Sequence, residues 1–270
     1  MKKLVRPKIS VIMSVYNGMP YLIEAVNSIL NQTYTNFEFI IVNDASLDTS
    51  WDYLIGLKDK RIKLIKNKKN LGLTVSLNKA LKITKGDYIA RMDADDISLT
   101  NRLEVQLKYL LDHPQIALCG CWAELIDEKG DKIGAKRYPI QPEKIKSTLL
   151  HYPCIIHPTF FARREFYAEL KGYDPKFDFA EDYELLMRAK NKFQMANINK
   201  TLLKWRLWGK RRSRQDMHFM DKIDLKIKLE SIKRDGIIPT VLLLIVTKFF
   251  MTFIIPTTLK IRLAKLFNLA

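Results

Sequence analysis

Short apolar segments alternate with segments of helical periodicity in the first third of the chain. The apolar segments are rich in β-branched residues, which is typical of buried strands. Four of them predict strands, at residues 9–15, 37–42, 62–65 and 86–92. Strands that alternate with helices at these intervals predict an α/β fold with a mostly parallel central sheet and helices on both of its faces.

The pattern changes after residue 100. Three further helices are predicted at residues 101–113, 143–150 and 180–190, and a hairpin is predicted at residues 116–126 and 133–138. A hairpin joins two antiparallel strands, so it marks the end of the strictly alternating pattern of strands and helices.

Three carboxylates within four residues, Asp93, Asp95 and Asp96, follow the fourth predicted strand. Acids in such a run repel one another unless a cation or a set of hydrogen-bond donors neutralises them. Mg²⁺ and Mn²⁺ prefer oxygen ligands and are often held by one or two carboxylates together with substrate phosphates. The run therefore predicts a metal-assisted site for a phosphorylated ligand. The alternative is a turn in which Asp95 or Asp96 caps the next helix.

Polar residues also follow the first three predicted strands. Tyr16 and Asn17 follow the first strand, and Asn43 and Asp44 follow the second. A polar loop at residues 70–72, with Asn78 beyond it, follows the third. Because the carboxyl ends of parallel strands meet at one edge of a sheet, we expect these side chains and the acidic run to share a crevice. There Asp44 could accept hydrogen bonds from a base or a ribose, with the Tyr16 ring against the base. The alternative for Asp44 is a turn residue that bonds its own backbone.

The formal net charge of +17 is unevenly distributed. Residues 200–270 carry 16 Lys and Arg against 5 Asp and Glu, so +11 of the charge lies in the last quarter of the chain. A localised basic region implies an anionic partner, which would be a membrane surface, a nucleic acid or a polyanionic substrate.

The C-terminal part of the chain differs in character from the rest. Residues 217–234 predict an amphipathic helix, and residues 237–255 are mostly apolar but include Lys248. That length is marginal for a bilayer span, and a central lysine opposes spanning. Basic residues on both sides favour a segment that lies on an anionic leaflet, with a span or a packed core helix as the alternatives. We therefore predict two domains, residues 1–212 and a membrane-associating helical tail at residues 213–270.

The cysteines and the N-terminus predict the compartment. Cys119, Cys121 and Cys154 form neither a zinc pattern nor a disulfide framework, which fits a reducing, cytosolic environment. Residues 1–7 are followed directly by a predicted strand and lack the apolar stretch of a signal peptide. The expected location is cytoplasmic and peripheral, at the inner face of the cell membrane.

From about residue 8 to residue 209 the sequence resembles a family 2 glycosyltransferase of the GT-A fold, the group that builds bacterial surface polysaccharides. Several motifs occur in the family's order and spacing. They are the opening strand at residues 11–17, the helix end at 29–34, the run at 43–46, the DXD motif at 93–96, the loop at 172–174 and the pair Glu181-Asp182.

The resemblance implies a role for each candidate site residue. Asp44 would bind the nucleobase with Tyr16 beside it, and Asp93 would contact the ribose. Asp95 would help to hold Mn²⁺ or Mg²⁺ on the diphosphate, and Asp182 would deprotonate the acceptor hydroxyl. The implied reaction is an inverting hexosyl transfer from a nucleotide-sugar, with a UDP-sugar expected, to a glycan or a lipid-linked acceptor. An anionic membrane surface is an expected partner and nucleic acid is not.

Two positions depart from the family's pattern. Leu77 stands before Asn78 where some members carry an arginine that could contact a phosphate. Residues 205–208 read Trp-Arg-Leu-Trp where the family often has Tyr-Arg-x-His, so a histidine that could bind metal or phosphate is missing.

Two rival functions fit the sequence less well. A nucleotidyltransferase on a similar sheet usually has a glycine-rich, basic loop after the first strand, and the loop at residues 16–19 is not of that kind. A non-catalytic basic module that binds anionic lipid or nucleic acid explains the charge but leaves the acidic crevice unexplained.

The Gln-x-x-Arg-Trp motif of processive synthases is absent from the sequence, which favours transfer of a single sugar.

Overall fold

The computed structural model describes residues 8–209, 217–236, 242–243 and 246–247. The chain divides into two compact units, Met1–Arg211 and Arg212–Ala270. The N-terminal residues 1–7 and most of the apolar segment 237–255 lie outside the described residues. The assignment of residues 213–270 as a membrane-associating tail stays a prediction.

Within the described residues, nine strands form one sheet. They are β1 (Ile9–Val15), β2 (Phe37–Asn43), β3 (Ile62–Lys66), β4 (Tyr88–Met92), β5 (Ile97–Ser98), β6 (Ile116–Ile126), β7 (Lys132–Lys136), β8 (Phe161–Arg163) and β9 (Gln194–Arg206).

The described helices lie between and after these strands. They are α1 (Leu22–Leu30), α2 (Ser50–Gly56), α3 (Leu73–Lys82), α4 (Arg102–Asp112), α5 (Pro142–Thr148), α6 (Arg164–Glu169), α7 (Glu181–Ala189) and α8 (Met217–Asp235), with short 3₁₀ turns at His157–Thr159 and Pro175–Phe177.

The sheet has a parallel half and a mixed half. The strand order is β3-β2-β1-β4-β8-β6-β9-β5, with β7 paired to β6. Strands β1 to β4 are parallel, as the alternating pattern predicts. Beyond β4 the strand β8 is antiparallel to both of its neighbours, and β9 lies parallel to β6. The predicted α/β fold and the hairpin of β6 and β7 are confirmed, while the prediction of a mostly parallel sheet holds only for the first half.

The hydrophobic core is built from strands of both halves of the sheet and from the helix faces that cover them. All seven residues of β2 are buried, and α1 contributes Leu22, Val26 and Ile29 to the same core. The three cysteines are also buried and unpaired, as their sequence pattern predicts. Burial on this scale is the main source of stability, because removing apolar surface from water is the dominant favourable term in folding.

The second unit contains helix α8, whose position agrees with the predicted helix at 217–234. The prediction that its apolar residues share one buried face is wrong. Leu225 and Ile227 are buried, whereas Phe219 and Leu229 are exposed. Leu225 and Leu229 lie one turn apart on the same side of the helix, yet only Leu225 is buried, so burial does not follow the apolar positions. No helix in the described part of the chain combines the length and the apolar character that crossing a bilayer requires.

A buried carboxylate ties together the amino ends of the parallel strands. Glu38 of β2 accepts hydrogen bonds from Ser10 Oγ (2.7 Å), Lys63 Nζ (2.5 Å) and Lys85 N (2.6 Å). Burial by itself raises the pKa of Glu38, but these donors outweigh it and hold the pKa below its ordinary value. Ser10 Oγ in turn accepts from Gly86 N (2.8 Å), which brings the chain before β4 close against β1.

This close approach makes Gly86 a sensitive position. A Cβ atom there would lie 2.5 Å from Ser10 N and 2.7 Å from the Ile9 carbonyl carbon, which are backbone atoms of β1. We expect Gly86→Ala to lower the free energy of unfolding by about 2 kcal/mol, within the range for overpacking. Urea unfolding measures this. Gly56→Ala is the matched control, since a Cβ at Gly56 meets no atom within 4 Å. Equal stability of the two variants would contradict the packing argument.

Candidate active site

The acidic run lies at the carboxyl edge of the parallel half-sheet. Strand β4 ends at Met92, and oxygen atoms of Asp93, Asp95 and Asp96 lie within 4.8 Å of one another. The alternative that Asp95 or Asp96 caps the next helix is wrong, because β5 intervenes and α4 begins only at Arg102. The run is therefore a cluster of carboxylates rather than a helix start.

The cluster is strongly perturbed by its surroundings. Burial raises the pKa of Asp95 to about 6, with a further contribution from the charge of Asp93. Burial also raises the pKa of Asp96 well above its ordinary value, and the charges of Asp95 and Asp93 add to this. Carboxyl groups of this kind bind protons more tightly than they do in water unless a cation takes the place of the proton.

A divalent cation fits the donor set. All the ligand atoms on offer are carboxylate oxygens, which suit Mg²⁺ and Mn²⁺. Asp96 is buried, and its Oδ2 atom has no hydrogen-bond partner among the described residues. A buried carboxylate oxygen without a donor is costly, so a cation at this position would satisfy it. The family resemblance names only Asp95 as a metal ligand. In the structure, Asp93 and Asp96 lie close enough to Asp95 to bind the same cation.

Tyr16 and Asp44 are brought together as predicted. Asp44 N donates to the Val15 carbonyl at 2.7 Å, so the residues that follow β1 and β2 are neighbours. The Tyr16 side chain is exposed. A Cβ built on Gly18 would be 3.7 Å from Ala94 Cβ, so the loop after β1 also approaches the acidic run.

Asp44 has a structural task that the sequence did not indicate. Its Oδ1 accepts from Asn67 Nδ2 (2.7 Å) and Leu71 N (2.9 Å), and its Oδ2 accepts from Gly72 N (2.9 Å). These donors belong to the loop that follows β3. The alternative that Asp44 is a turn residue bonding its own backbone is therefore wrong. Oδ2 accepts one bond from the described residues and retains a lone pair for a ligand.

Asp182 lies at the first turn of α7, within electrostatic range of the acidic run. Burial raises its pKa, while the Tyr183 N–H (2.7 Å) and the guanidinium of Arg91 lower it and Asp93 raises it. The neighbouring Glu181 is buried and faces His157, with 3.7 Å between Oε1 and Nδ1. Two carboxylates that open a helix can stabilise its N-terminus. The charges of Arg91 and Asp93 also act on Asp182, so this carboxyl lies near the acidic run.

Arg91 is a site residue that the sequence analysis did not identify. It is buried in β4 and forms an ion pair with Asp93. Its charge also lowers the pKa of Asp95, Asp96 and Asp182. The sequence does contain a signal for Arg91. An arginine within an apolar strand is expected to be buried, and a buried arginine requires anionic partners.

Arg206 joins the end of β9 to the acidic run. Its backbone N–H donates to Asp96 Oδ1 (2.9 Å), and its Nε donates to the Asp95 carbonyl (3.0 Å). Its guanidinium also donates to Glu24 Oε2 of α1 (2.6 Å) and lies 4.4 Å from the centre of the Tyr21 ring. Trp208, expected from sequence to be a packing residue, donates through Nε1 to Asp95 Oδ2 at 2.7 Å.

Asn78, which was expected in the crevice, holds a loop instead. Its side-chain amide donates to the Tyr173 carbonyl (2.8 Å) and accepts from Tyr173 N (2.9 Å). Gly172 precedes this contact with φ of 71°, where a Cβ would come 2.5 Å from Asn78 Oδ1. Leu77 is fully buried and points into the core, so this position has no role in the site.

Known sequences resemble the chain over most of its length. The model of glycosyl transferase family 2 matches residues 10–171. An uncharacterised glycosyltransferase of Haemophilus influenzae is 37% identical over 237 residues, which cover 84% of this chain and 73% of that protein. WbnJ of Escherichia coli, an O-antigen biosynthesis glycosyltransferase, is 35% identical over 211 residues, which cover 75% of this chain and 80% of WbnJ.

Solved structures share the fold at low sequence identity. Staphylococcus aureus TarS in complex with UDP-GlcNAc superposes with a TM-score of 0.71 and 18% identity, over 90% of this chain and 73% of that one. The mannosyltransferase PcManGT of Pyrobaculum calidifontis, in complex with GDP-Man and Mn²⁺, superposes with a TM-score of 0.64 and 20% identity, over 91% of this chain and 69% of that one.

The raised carboxyl pKa values predict a pH-dependent response to metal. Without a cation, stability falls as pH rises from the ordinary carboxyl range through about 6, because the folded state then loses protons that it binds more tightly than the unfolded state does. A cation must displace those protons at low pH but not at neutral pH. We expect Mn²⁺ to raise Tm more at about pH 7.5 than at about pH 5, with a gain of about 2.7 kcal/mol at 100 times Kd.

Thermal unfolding with Mn²⁺ and with chelator at both pH values measures this response. Asp95→Asn is the matched variant, because it removes one charge and keeps the shape of the side chain. We expect its metal-dependent gain at neutral pH to shrink. An equal gain for the wild type at both pH values would contradict metal binding by the acidic run.

Proposed function

Since this chain belongs to glycosyl transferase family 2, we propose that it transfers one sugar from a nucleoside diphosphate donor to a glycan or lipid-linked acceptor during surface-polysaccharide synthesis. The observation that carries the proposal is the placement of Asp182 beside a cluster of three carboxylates that fits a divalent cation. The O-antigen role in the name of WbnJ supports a polysaccharide product. The UDP-GlcNAc complex of TarS supports a UDP-sugar donor.

The donor would lie across the carboxyl edge of β1, β2 and β4. Asp44 and Tyr16 would contact the base, and Asp93 the ribose. A divalent cation held by Asp95 with its neighbouring carboxylates would offset the negative charge that develops on the leaving diphosphate. Asp44 would then both hold its loop and bind the donor through the remaining lone pair of Oδ2.

Asp182 would act on the acceptor. A hydroxyl is a poor nucleophile until a base removes its proton, and a base is most effective when its pKa is near the working pH. Burial moves the pKa of Asp182 upward, in that direction, while the positive charge of Arg91 favours its ionised form. A single base on the face opposite the leaving group gives inversion at the anomeric carbon in one displacement.

Replacement of this base separates catalysis from binding. We expect Asp182→Asn to lower kcat by about 10²–10⁴-fold, the usual contribution of a general base, with little change in donor affinity. A panel of UDP- and GDP-sugars with Mn²⁺, assayed for binding and for transfer or slow hydrolysis, measures both. Asp112→Asn, at an exposed Asp paired with Lys108, is the control. Turnover within a few-fold of the wild type for Asp182→Asn would remove this residue from the mechanism.

The second unit would bring the enzyme to an anionic membrane surface. One side of α8 exposes apolar and basic residues at helical spacing, namely Phe219, Lys222, Lys226, Leu229 and Lys233. Exposed lysines attract anionic headgroups, and exposed Phe and Leu side chains can enter the interface. This surface, together with the basic composition of residues 213–270, supports a peripheral location at the cytoplasmic leaflet.

Charge reversal on α8 tests the membrane proposal. Each lysine near an anionic surface contributes about 1 kcal/mol, so we expect the triple variant K222E/K226E/K233E to bind phosphatidylglycerol vesicles at least tenfold more weakly. The control K129E/K144E/K146E makes the same change in net charge at exposed lysines of the first unit. Co-sedimentation of the full chain with vesicles measures both. Equal losses in the two variants would mean that overall charge, not this helix, sets the affinity.

A further inference from the structure

Each carboxylate of the acidic run is held through one of its oxygens by a nitrogen donor of the protein. Arg91 pairs with Asp93 Oδ1, Trp208 Nε1 donates to Asp95 Oδ2, and the Arg206 N–H donates to Asp96 Oδ1. The second oxygen of Asp96, Oδ2, is buried and has no hydrogen-bond partner among the described residues. The protein thus fixes one oxygen of each acid and leaves Oδ2 of Asp96 without a donor.

Of these three donors, Trp208 alone donates from a neutral side chain, since Arg91 uses its guanidinium and Arg206 its backbone N–H. An indole N–H can only donate, so Trp208 is not itself a metal ligand. Its contact of 2.7 Å with Oδ2 sets the rotation of the Asp95 carboxylate and directs Oδ1 away from the indole.

The indole is held in place from its other side. The Tyr21 ring meets the Trp208 ring edge-on, with 5.4 Å between the ring centres. The guanidinium of Arg206 lies over the same Tyr21 ring, and Arg206 is itself buried and bonded to the Asp95 carbonyl. Aromatic pairs of this geometry are favourable beyond their buried area, so the indole is a fixed donor rather than a mobile one.

We propose that Trp208 is a positioning residue for the divalent cation, acting through Asp95. Its N–H holds Oδ2 of the Asp95 carboxylate, so Oδ1 would be the oxygen that Asp95 offers to a cation held together with Asp93 and Asp96. Outer groups that orient a ligand in this way typically change metal affinity by 10–100-fold when they are removed. The inference rests on the proposed metal-dependent function and gives Trp208 a role different from that of the histidine that the family often has at this position.

Trp208→Phe tests the role of the N–H, because phenylalanine keeps an aromatic ring against Tyr21 and removes the donor. We expect this variant to bind Mn²⁺ at least tenfold more weakly than the wild type, in the absence of any nucleotide-sugar. Titration calorimetry, or the electron paramagnetic resonance signal of free Mn²⁺, measures the dissociation constant directly. If Trp208 only packed against its neighbours, Trp208→Phe would lower Tm in the absence of metal and leave the dissociation constant for Mn²⁺ unchanged.

Trp122→Phe is the matched control. Trp122 also donates an indole N–H, to the Tyr138 carbonyl at 3.0 Å, but on β6 and outside the acidic run. We expect Trp122→Phe to keep the affinity of the wild type for Mn²⁺. The double variant D95N/W208F provides a second test. If Trp208 acts through Asp95, its replacement should weaken Mn²⁺ binding no further once Asp95 has been changed.

Four outcomes would overturn the proposal. Unchanged affinity in Trp208→Phe would mean that Asp95 is oriented without the indole, and tighter binding would mean that the indole competes with the cation. A loss on adding Trp208→Phe to Asp95→Asn as large as the loss in Trp208→Phe alone would show that the indole does not act through Asp95. Absence of Mn²⁺ binding by the wild type would overturn the metal part of the proposed function together with this role, which distinguishes that failure from the first three.

Discussion

Mutual repulsion among three carboxylates at the end of β4 is the constraint on which the rest of the site depends. Burying Asp93, Asp95 and Asp96 in so small a volume is unfavourable unless each acid finds a donor or a cation. The donors come from two separate places, Arg91 beneath the cluster in β4 and residues 206–208 at the end of β9. The mixed half of the sheet is therefore required by the chemistry of the parallel half, because β9 delivers two of the three contacts.

Much of the first half of the fold follows from local pattern. Strands β1 to β4 could be predicted because apolar periodicity is a short-range property, and the meeting of their carboxyl ends at one edge follows from parallel pairing. The contacts that complete the site could not. Arg206 and Trp208 meet Asp95 across more than 100 residues, and no local pattern encodes that pairing. The pairing also depends on β9 entering the sheet parallel to β6, which the alternating pattern does not specify.

The hydrogen bonds of Asp44 and Asn78 also could not be predicted from the sequence. Both residues were expected in the crevice because of their type and position. In the structure Asp44 anchors the loop after β3, and Asn78 clamps the backbone of Tyr173. A buried polar side chain with several good partners is worth more to the fold than a single contact suggests. The side-chain type and position predicted where these residues lie. Their roles depend on their hydrogen-bond partners, which are set by the tertiary structure.

The hydrogen bonds of Arg206 and Trp208 bear on how far the chain can be shortened from its C-terminal end. The match to the family model ends at residue 171, within the turn that follows α6. A protein shortened to that point would retain the acidic run, Asp44 and Tyr16, but it would lack β9 and the donors that hold Asp95 and Asp96. It would also lack Asp182. An autonomous catalytic core must therefore extend at least through Trp208, well past the boundary that sequence similarity alone would draw.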